Sequence, residues 1–319
     1  MPGLPDFRPP HRADWPMEGP VGLGDGPGTG WKASLSVTLG PAGGRTVVKR
    51  LRFEGPLRIQ RLFHPETGLP DICHLYLLHP PGGLVTGDLL EQELTLAEGA
   101  RALVTSPAAT KVYRAKAGPG PNQRVVSRVT LGDGATLEWL PQGTIVFGGA
   151  RADLSTLFEV GPGARALGCD FVALGRPAAG EGFGSGSLRQ LTRVFREGRP
   201  LFHELVSLPG GSPLLASPFG LMGRPVMALF WALGRPGEPS DEAALKGAMA
   251  EMAAWPDFGP GPNAPGPPVF SATLRRGMLL ARALAQTLGE AEDFRARVWS
   301  AVRPRLMGRE PLAPHIWNT

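Results

Sequence analysis

The sequence predicts a mainly β protein, its strands stacked in layers in the manner of a β-helix or solenoid, with a small helical component near the C-terminus. Three observations predict it. Polar and apolar residues alternate over long stretches from Trp31 onward, the period of a strand with one buried face. A motif of apolar strand end, turn, Gly-Ala and second strand recurs three times, and helix-forming runs come only late in the chain. Composition agrees: Gly 45 and Pro 35 among 319 residues favour tight turns over long helices, and 42% hydrophobic with 19% charged residues suits a folded globular chain.

Taken in order, residues 1–30 are rich in Pro and Gly without periodicity and are expected to form a flexible tail. Residues 31–319 are expected to form one domain. WKASLSVTL (31–39) and RTVVKRLRF (45–53), separated by a PAGG turn, both alternate as half-buried strands. The repeats are LTLAEGARALV (94–104), VTLGDGATLEW (129–139) and FEVGPGARALG (158–168). Their glycines, Gly99, Gly134 and Gly163, stand 35 and 29 positions apart (134 − 99 and 163 − 134). A glycine there supplies positive φ at a tight corner, and the alanine after it leaves room where neighbouring layers meet. Repetition near this period points to stacked β layers, with separate hairpins in an open sandwich as the alternative. GRPAAGEGFGSG (175–186), with Arg176 and Glu181 as its only charges, reads as a closely approached loop or a docking loop. SDEAALKGAMAEMAAW (240–255) reads as a helix capped by Ser240 or Asp241. GPGPNAPGPP (259–268) reads as a loop, and VFSATLRRGMLLARAL after it as one or two strands. EAEDFRARVWSAVRPRLM (290–307) reads as a final helix, bent or ended near Pro304.

Charge and cysteine content exclude several functions. The formal charge of +5 is carried mostly by arginine, and it does not form the aromatic-interleaved basic block of a nucleic-acid surface. A ridge of Lys49, Arg50, Arg52, Arg58 and Arg61 suits an acidic partner, or equally the solubility of an edge strand. Cys73 and Cys169 form no CxxC pair, which argues against a disulfide framework or a thiolate zinc site and for a reducing compartment. The N-terminus lacks the apolar stretch of a signal peptide, and the longest apolar run, VMALFWAL (226–233), is too short to span a bilayer. A cytoplasmic protein without membrane contact is expected.

HLYLLHPPGGLVTGDLL (74–90) concentrates candidate chemistry. Its glycines are followed by Asp88 where a phosphate loop needs lysine, and no βαβ unit surrounds them for a dinucleotide. Cys73, His74, His79, the upstream His64 and Asp88 are all capable metal ligands. In an extended strand, however, Cys73 and His79 project to one face while His74 and Tyr76 project to the other. Pro80-Pro81-Gly82-Gly83 is then a rigid corner that aims His79 and Asp88. No GxSxG elbow supports a nucleophile. Among the acids Asp88, Glu138, Asp153, Asp170 and Glu181, the repeat singles out two. With Gly168 taken as the equivalent of Glu138, Asp170 falls two positions away in register, a carboxylate pair for handling metal or protons. Solvated surface carboxylates are the plain alternative.

GPLRIQRLFHPE (55–66), CHLYLLHPPGGLVTGD (73–88), ATKVYR (109–114), LEWLPQ (137–142), LGRPAAGE (174–181) and PHIW (314–317) occur in the order and spacing of the urease accessory protein UreD family, also called UreH. The resemblance runs from Trp31 to the end. It implies a non-enzymatic, mainly β protein that binds urease apoprotein and, with UreF and the GTPase UreG, helps deliver nickel to the urease active site. It implies transient nickel(II) and no tightly bound cofactor, with a homodimer within the accessory complex. Nickel(II) accepts imidazole, carboxylate and water, and a transfer path should hold it weakly. The resemblance therefore marks Asp88, Glu138, Asp170 and Glu181, with His79, as nickel-passage residues. Two positions depart from the family pattern: Gly143 stands where an acid usually follows LPQ, and Thr86-Gly87 replaces Gly-Gly before the aspartate. If the acid serves transfer in relatives, another group must serve here, while Trp139 and Leu140 keep the motif as packing. A stacked-β hydrolase or lyase working through a carboxylate pair is the rival reading.

Overall fold

The computed structural model describes residues 30–66, 68, 71–256 and 269–318. The expected tail up to residue 29 and the expected 259–268 loop lie outside the described residues.

The chain begins with β1 (Lys32–Ala42), β2 (Arg45–Glu54), β3 (Arg58–Ile59), β4 (Ile72–Leu78), β5 (Gly83–Leu84) and β6 (Leu89–Leu96). It continues through β7 (Arg101–Thr105), β8 (Thr110–Val112), β9 (Gln123–Leu131), β10 (Thr136–Trp139), β11 (Thr144–Val146) and β12 (Arg151–Val160). Then come β13 (Arg165–Leu174), β14 (Ser187–Arg196), β15 (Arg199–Pro209), β16 (Val226–Leu233) and α1 (Pro239–Ala253). β17 (Val269–Arg275), β18 (Met278–Ala285) and α2 (Leu288–Met307) complete it.

Two mixed sheets result. One has seven strands in the order β15-β14-β12-β9-β6-β1-β2. The other has eleven, with β17-β18-β16-β13-β10-β7-β4-β3 as its main path and the short β5, β8 and β11 beside it. Between β4 and β14 the chain passes back and forth between the sheets, and each new strand pairs parallel with the one laid down a repeat earlier. The repeat seen in the sequence is this register: Thr136 lies opposite Arg101 on one side and Arg165 on the other. Its corners stack by backbone hydrogen bonds, from Thr136 N to Ala100 O (2.9 Å) and from Arg165 N to Ala135 O (3.0 Å). Ala100, Ala135 and Ala164 are fully buried at the contact, as their small size requires.

The repeat glycines divide. Gly99 and Gly134 have the expected positive φ of 67° and 62°. Gly163 does not; a Cβ there would meet Asp133 Oδ1 at 2.4 Å, so a larger residue would have to displace the Asp133 carboxylate that accepts from Gly163 N.

The main core fills the space between the sheets with Leu35, Val37, Leu75, Val104, Leu137, Trp139, Phe158 and Trp231. A Cβ on Gly168 would meet the Trp231 ring at 2.5 Å, so this glycine lets the indole lie flat against β13. The two helices cover the outer face of the larger sheet, burying Phe294, Val298 and Val302 of α2 against Leu103, Leu167 and Phe171. α2 opens with a reciprocal cap: Thr287 Oγ1 accepts from Glu290 N (3.2 Å), and Glu290 Oε2 accepts from Gln286 N (2.7 Å). Pro304 does not end it; the helix runs on to Met307 and stops at Gly308 with φ 67°. α1 starts one residue before the expected Ser240, at Pro239, with Glu238 as its cap. Asp241 is used elsewhere, held by Arg165 and Arg235 (2.6 and 3.1 Å). Two strands, β17 and β18, occupy the segment expected to hold one or two, joined by a turn with positive φ at Arg276 and Gly277.

Candidate functional site

Three groups of buried or half-buried polar side chains stand out, on the two faces of the larger sheet and at one of its corners. The first lies under α2. Register places His74, Leu103, Glu138 and Leu167 in one row across β4, β7, β10 and β13, all on the helix-facing side. Glu138 is fully buried and both its oxygens are engaged: Arg303 Nε donates to each at 3.0 Å and Trp299 Nε1 donates to Oε2 at 2.7 Å. Arg303, also fully buried, reaches on to Glu66, whose Oε1 lies 3.4 Å from His74 Nε2. Arg309 closes the far side, 3.6 Å from Glu66 and 2.8 Å from Asp71.

Burial pushes the Glu138 carboxyl up, against the opposing pull of Arg303 and Trp299. Burial acts the same way on Glu66, but His74 and Arg303 outweigh it and hold that carboxyl below its ordinary value. A carboxylate so enclosed is a poor ligand, because freeing it leaves the guanidinium buried and unpaired at a cost of about 3–5 kcal/mol.

The same layer explains two sequence motifs. Trp317 of the terminal PHIW donates to Thr105 Oγ1 at 2.7 Å, and its ring lies 3.9 Å from the Arg295 guanidinium. Arg295 also donates to Gln142 of LPQ at 3.2 Å. Gly143 is packed: a Cβ there would stand 2.3 Å from the Phe171 ring. Phe171 fills the space an acid at this position would need.

The second group faces the other way. Asp170 projects from β13 toward the smaller sheet, where Gln190 Nε2 of β14 donates to Oδ2 at 2.7 Å. It lines a cavity of about 310 Å³ between the sheets, with Thr192, Glu204, Leu229, Phe270 and Arg282 among the walls. Glu204 is occupied by Arg282 at 2.6 Å. Burial first, and the Glu204 charge in addition, push the Asp170 carboxyl up to about 6 in spite of the Gln190 hydrogen bond.

The third group is the His-Pro-Pro-Gly-Gly corner. Gly82 N donates to His79 O (2.8 Å) and Gly82 takes φ 72°, so the segment turns sharply as expected. Asp88 is buried and structural here, accepting from Val85 N (2.8 Å) and Trp31 N (3.2 Å) and so tying the turn to the start of β1. Neither ring nitrogen of His79 has a partner among the described residues, although both are shielded from solvent. Burial lowers its basicity while the Asp88 charge opposes that. A neutral imidazole with an uncommitted lone pair results.

The remaining sequence candidates are scattered. Glu181 pairs with Arg176 across its loop and lies 3.8 Å from Arg114. Asp153 lies between Arg189 (3.2 Å) and Arg124 (3.8 Å). His64 hydrogen-bonds Thr46 O at 2.9 Å. Cys73 and His74 take opposite faces as expected, and burial pushes the Cys73 and Cys169 thiols up to about 12, which keeps them from serving as thiolates at neutral pH.

The carboxylate pair expected from the repeat does not form. Glu138 is opposite Leu167, not Gly168, so Asp170 is three positions away and on the other face of the sheet. Aligned on Gly134 and Gly163, the repeats put Glu138 with Leu167, and the one-residue difference from Gly168 reverses the face. Among the described residues no three His, Cys, Asp or Glu side chains converge as a metal group.

Sequence reasoning missed Arg295, Trp299 and Arg303. The signal was available: they follow each other at four-residue spacing along α2, beside the apolar stripe of Phe294, Val298 and Val302. Two arginines on a buried helix face require partners, and those partners are the LEWLPQ and FHPE motifs.

An ion-pair network under α2, the Asp170 carboxyl in an inter-sheet cavity and a histidine without a ring-nitrogen partner among the described residues are the polar features of this mainly β protein. A family model described as "UreD urease accessory protein" matches residues 32–318. The chain is 39% identical to the urease accessory protein UreD of Alkalilimnicola ehrlichii over 290 residues, 91% of this chain and 92% of that one. It is 38% identical to the UreD of Azoarcus sp. and 40% identical to that of Pseudomonas aeruginosa PAO1, covering 91% of this chain and 95% of the relative in both cases. The chain belongs to the UreD family of urease accessory proteins. That membership supports a role in urease maturation and an accessory, non-catalytic part in it. No helix among the described residues is long and apolar enough to cross a membrane.

Proposed function

We propose that this protein serves urease maturation as a scaffold and nickel conduit in the cytoplasm, binding urease apoprotein and working with UreF and the GTPase UreG. The parallel run from β4 to β14 is, on this reading, a short solenoid-like stack whose interior offers sparse polar stations to the ion. The observation that carries the proposal is Asp170. It is a carboxylate in an inter-sheet cavity with a single hydrogen-bond donor among the described residues, so its remaining lone pairs are open to a cation. A lone carboxylate with water completing the shell holds nickel(II) weakly enough to release it, as transfer demands.

His79 is the second station, through its unpartnered imidazole. Asp88, Glu138 and Glu181 also belong to the proposed passage, and their present partners give them a different part. They shape and charge its walls, and bind the ion only if those partners move. Deleting the protein and measuring nickel in purified urease at limiting nickel tests the proposal: subunits present but poor in metal are expected, and fully loaded urease would reject it.

A further inference from the structure

The distal half of β2 stands apart from the rest of the smaller sheet. Its first half is covered, since Thr46 N donates to Asp71 O (3.2 Å) and Thr46 O is held by His64. From Lys49 to Glu54 every residue is exposed, and among the described residues no strand pairs with the outer edge of β2. Leu51 and Phe53 lie opposite Val37 and Leu35, so they continue the core-facing side of the sheet past the point where the larger sheet covers it. They remain 39% and 48% exposed, with the Arg58 guanidinium 4.0 Å from the Phe53 ring centre. Arg50 and Arg52 point to the opposite face, beside Thr38 and Ser36.

The charges here are unbalanced. Residues 49–61 carry Lys49, Arg50, Arg52, Arg58 and Arg61 against one carboxylate, Glu54. None of these five cations forms an ion pair among the described residues. Four cations elsewhere on the same sheet are paired: Lys32 with Glu91, Arg128 with Glu93, and Arg124 and Arg189 with Asp153. Guarding a free edge against aggregation calls for charge alone. It does not call for two exposed apolar side chains with an arginine laid over an aromatic ring, the composition of a binding centre.

We propose that the Lys49–Glu54 edge of β2, with Arg58 and Arg61, is the docking surface for an acidic protein face bearing an apolar contact for Leu51 and Phe53. A second copy of this edge would bring like charges together and is excluded on that ground. The opposite edge, β15, offers only Glu204 as a carboxylate, and Arg282 holds it. Resting on the function proposed above, the partner is urease apoprotein.

The test is equilibrium binding of the full-length chain to immobilised urease apoprotein. Wild type is compared with R50E/R52E, with L51S/F53S, and with R199E on the opposite edge of the sheet as control. Both double variants are expected to weaken binding by about tenfold or more, and wild-type affinity should fall with added salt. R199E should bind as wild type does. R50E/R52E and R199E change exposed charges only, so unchanged thermal unfolding is expected for both, whereas L51S/F53S removes half-covered apolar area and is compared at a temperature below its own unfolding. If wild type binds and R50E/R52E and L51S/F53S bind equally well, this surface is not the dock, while the urease reading stands. If wild type fails to bind the apoprotein at all, the urease reading falls and the docking proposal with it.

Discussion

Replacing Asp170 by Asn should stabilise the protein, and only above mildly acidic pH. The carboxyl has an ordinary value of 3.8 and stands at about 6 in the fold. Because the folded value is the higher one, the folded chain keeps a proton through that window which the unfolded chain has lost. Stability therefore falls as pH rises from about 4 to about 6, and the loss is complete above it. The gap corresponds to about 3 kcal/mol, and the partial solvent access of the side chain reduces this to roughly 1–3 kcal/mol. Asn keeps the carbonyl that accepts from Gln190 and cannot ionise. Urea unfolding of wild type and D170N at pH 4 and pH 7.5 isolates the effect, since every other titrating group is common to both chains. The expected result is near equality at pH 4 and an advantage for D170N of about 1–3 kcal/mol at pH 7.5. A difference that does not change with pH, or a D170N chain less stable at pH 7.5, would refute the assignment of Asp170 as a carboxylate held in a poorly solvated cavity.

Arg303→Met should cost about 3–5 kcal/mol in urea unfolding, because it leaves Glu138 and Glu66 buried without their shared cation, and adding E138Q should recover part of the loss. A cost near zero would mean that the network under α2 is hydrated and open. Gly143→Ala should destabilise by about 1–3 kcal/mol through the clash with Phe171, and adding Phe171→Leu should relieve the part due to the ring, leaving the contact with the Phe171 carbonyl oxygen at 2.9 Å. No recovery in the double variant would place the strain elsewhere.

Much of the fold was legible because β periodicity and the Gly-Ala corners are local signals. Thr136 pairs with Arg101 and Arg165 at the intervals the repeat prescribes, and the alanines are buried where the layers meet. The site was less legible because its partners are distant in sequence. Glu138 is held by a residue 165 positions away and Arg303 by Glu66 across 237 positions, and no spacing rule reaches that far. A single-residue slip in aligning two repeats was enough to pair Glu138 wrongly with Asp170, since alternation assigns adjacent residues to opposite faces. Arg303 and Arg295 look like surface residues until the helix is seen to bury that stripe. The structural duties of Asp88 could not be foreseen either, because an aspartate that closes a turn has the same sequence signature as one that waits for an ion.

The most direct test of the account is nickel content. Urease would be purified from cells grown at limiting nickel with either the wild-type protein or a D170N/H79A variant, after confirming that the variant is folded, present at equal level and still bound to urease. Metal per active site should drop severalfold with the variant and recover when nickel is supplied in excess. Urease loaded with nickel to the wild-type level at limiting supply would contradict it, because an ion that bypasses both open ligands is not being carried through this interior.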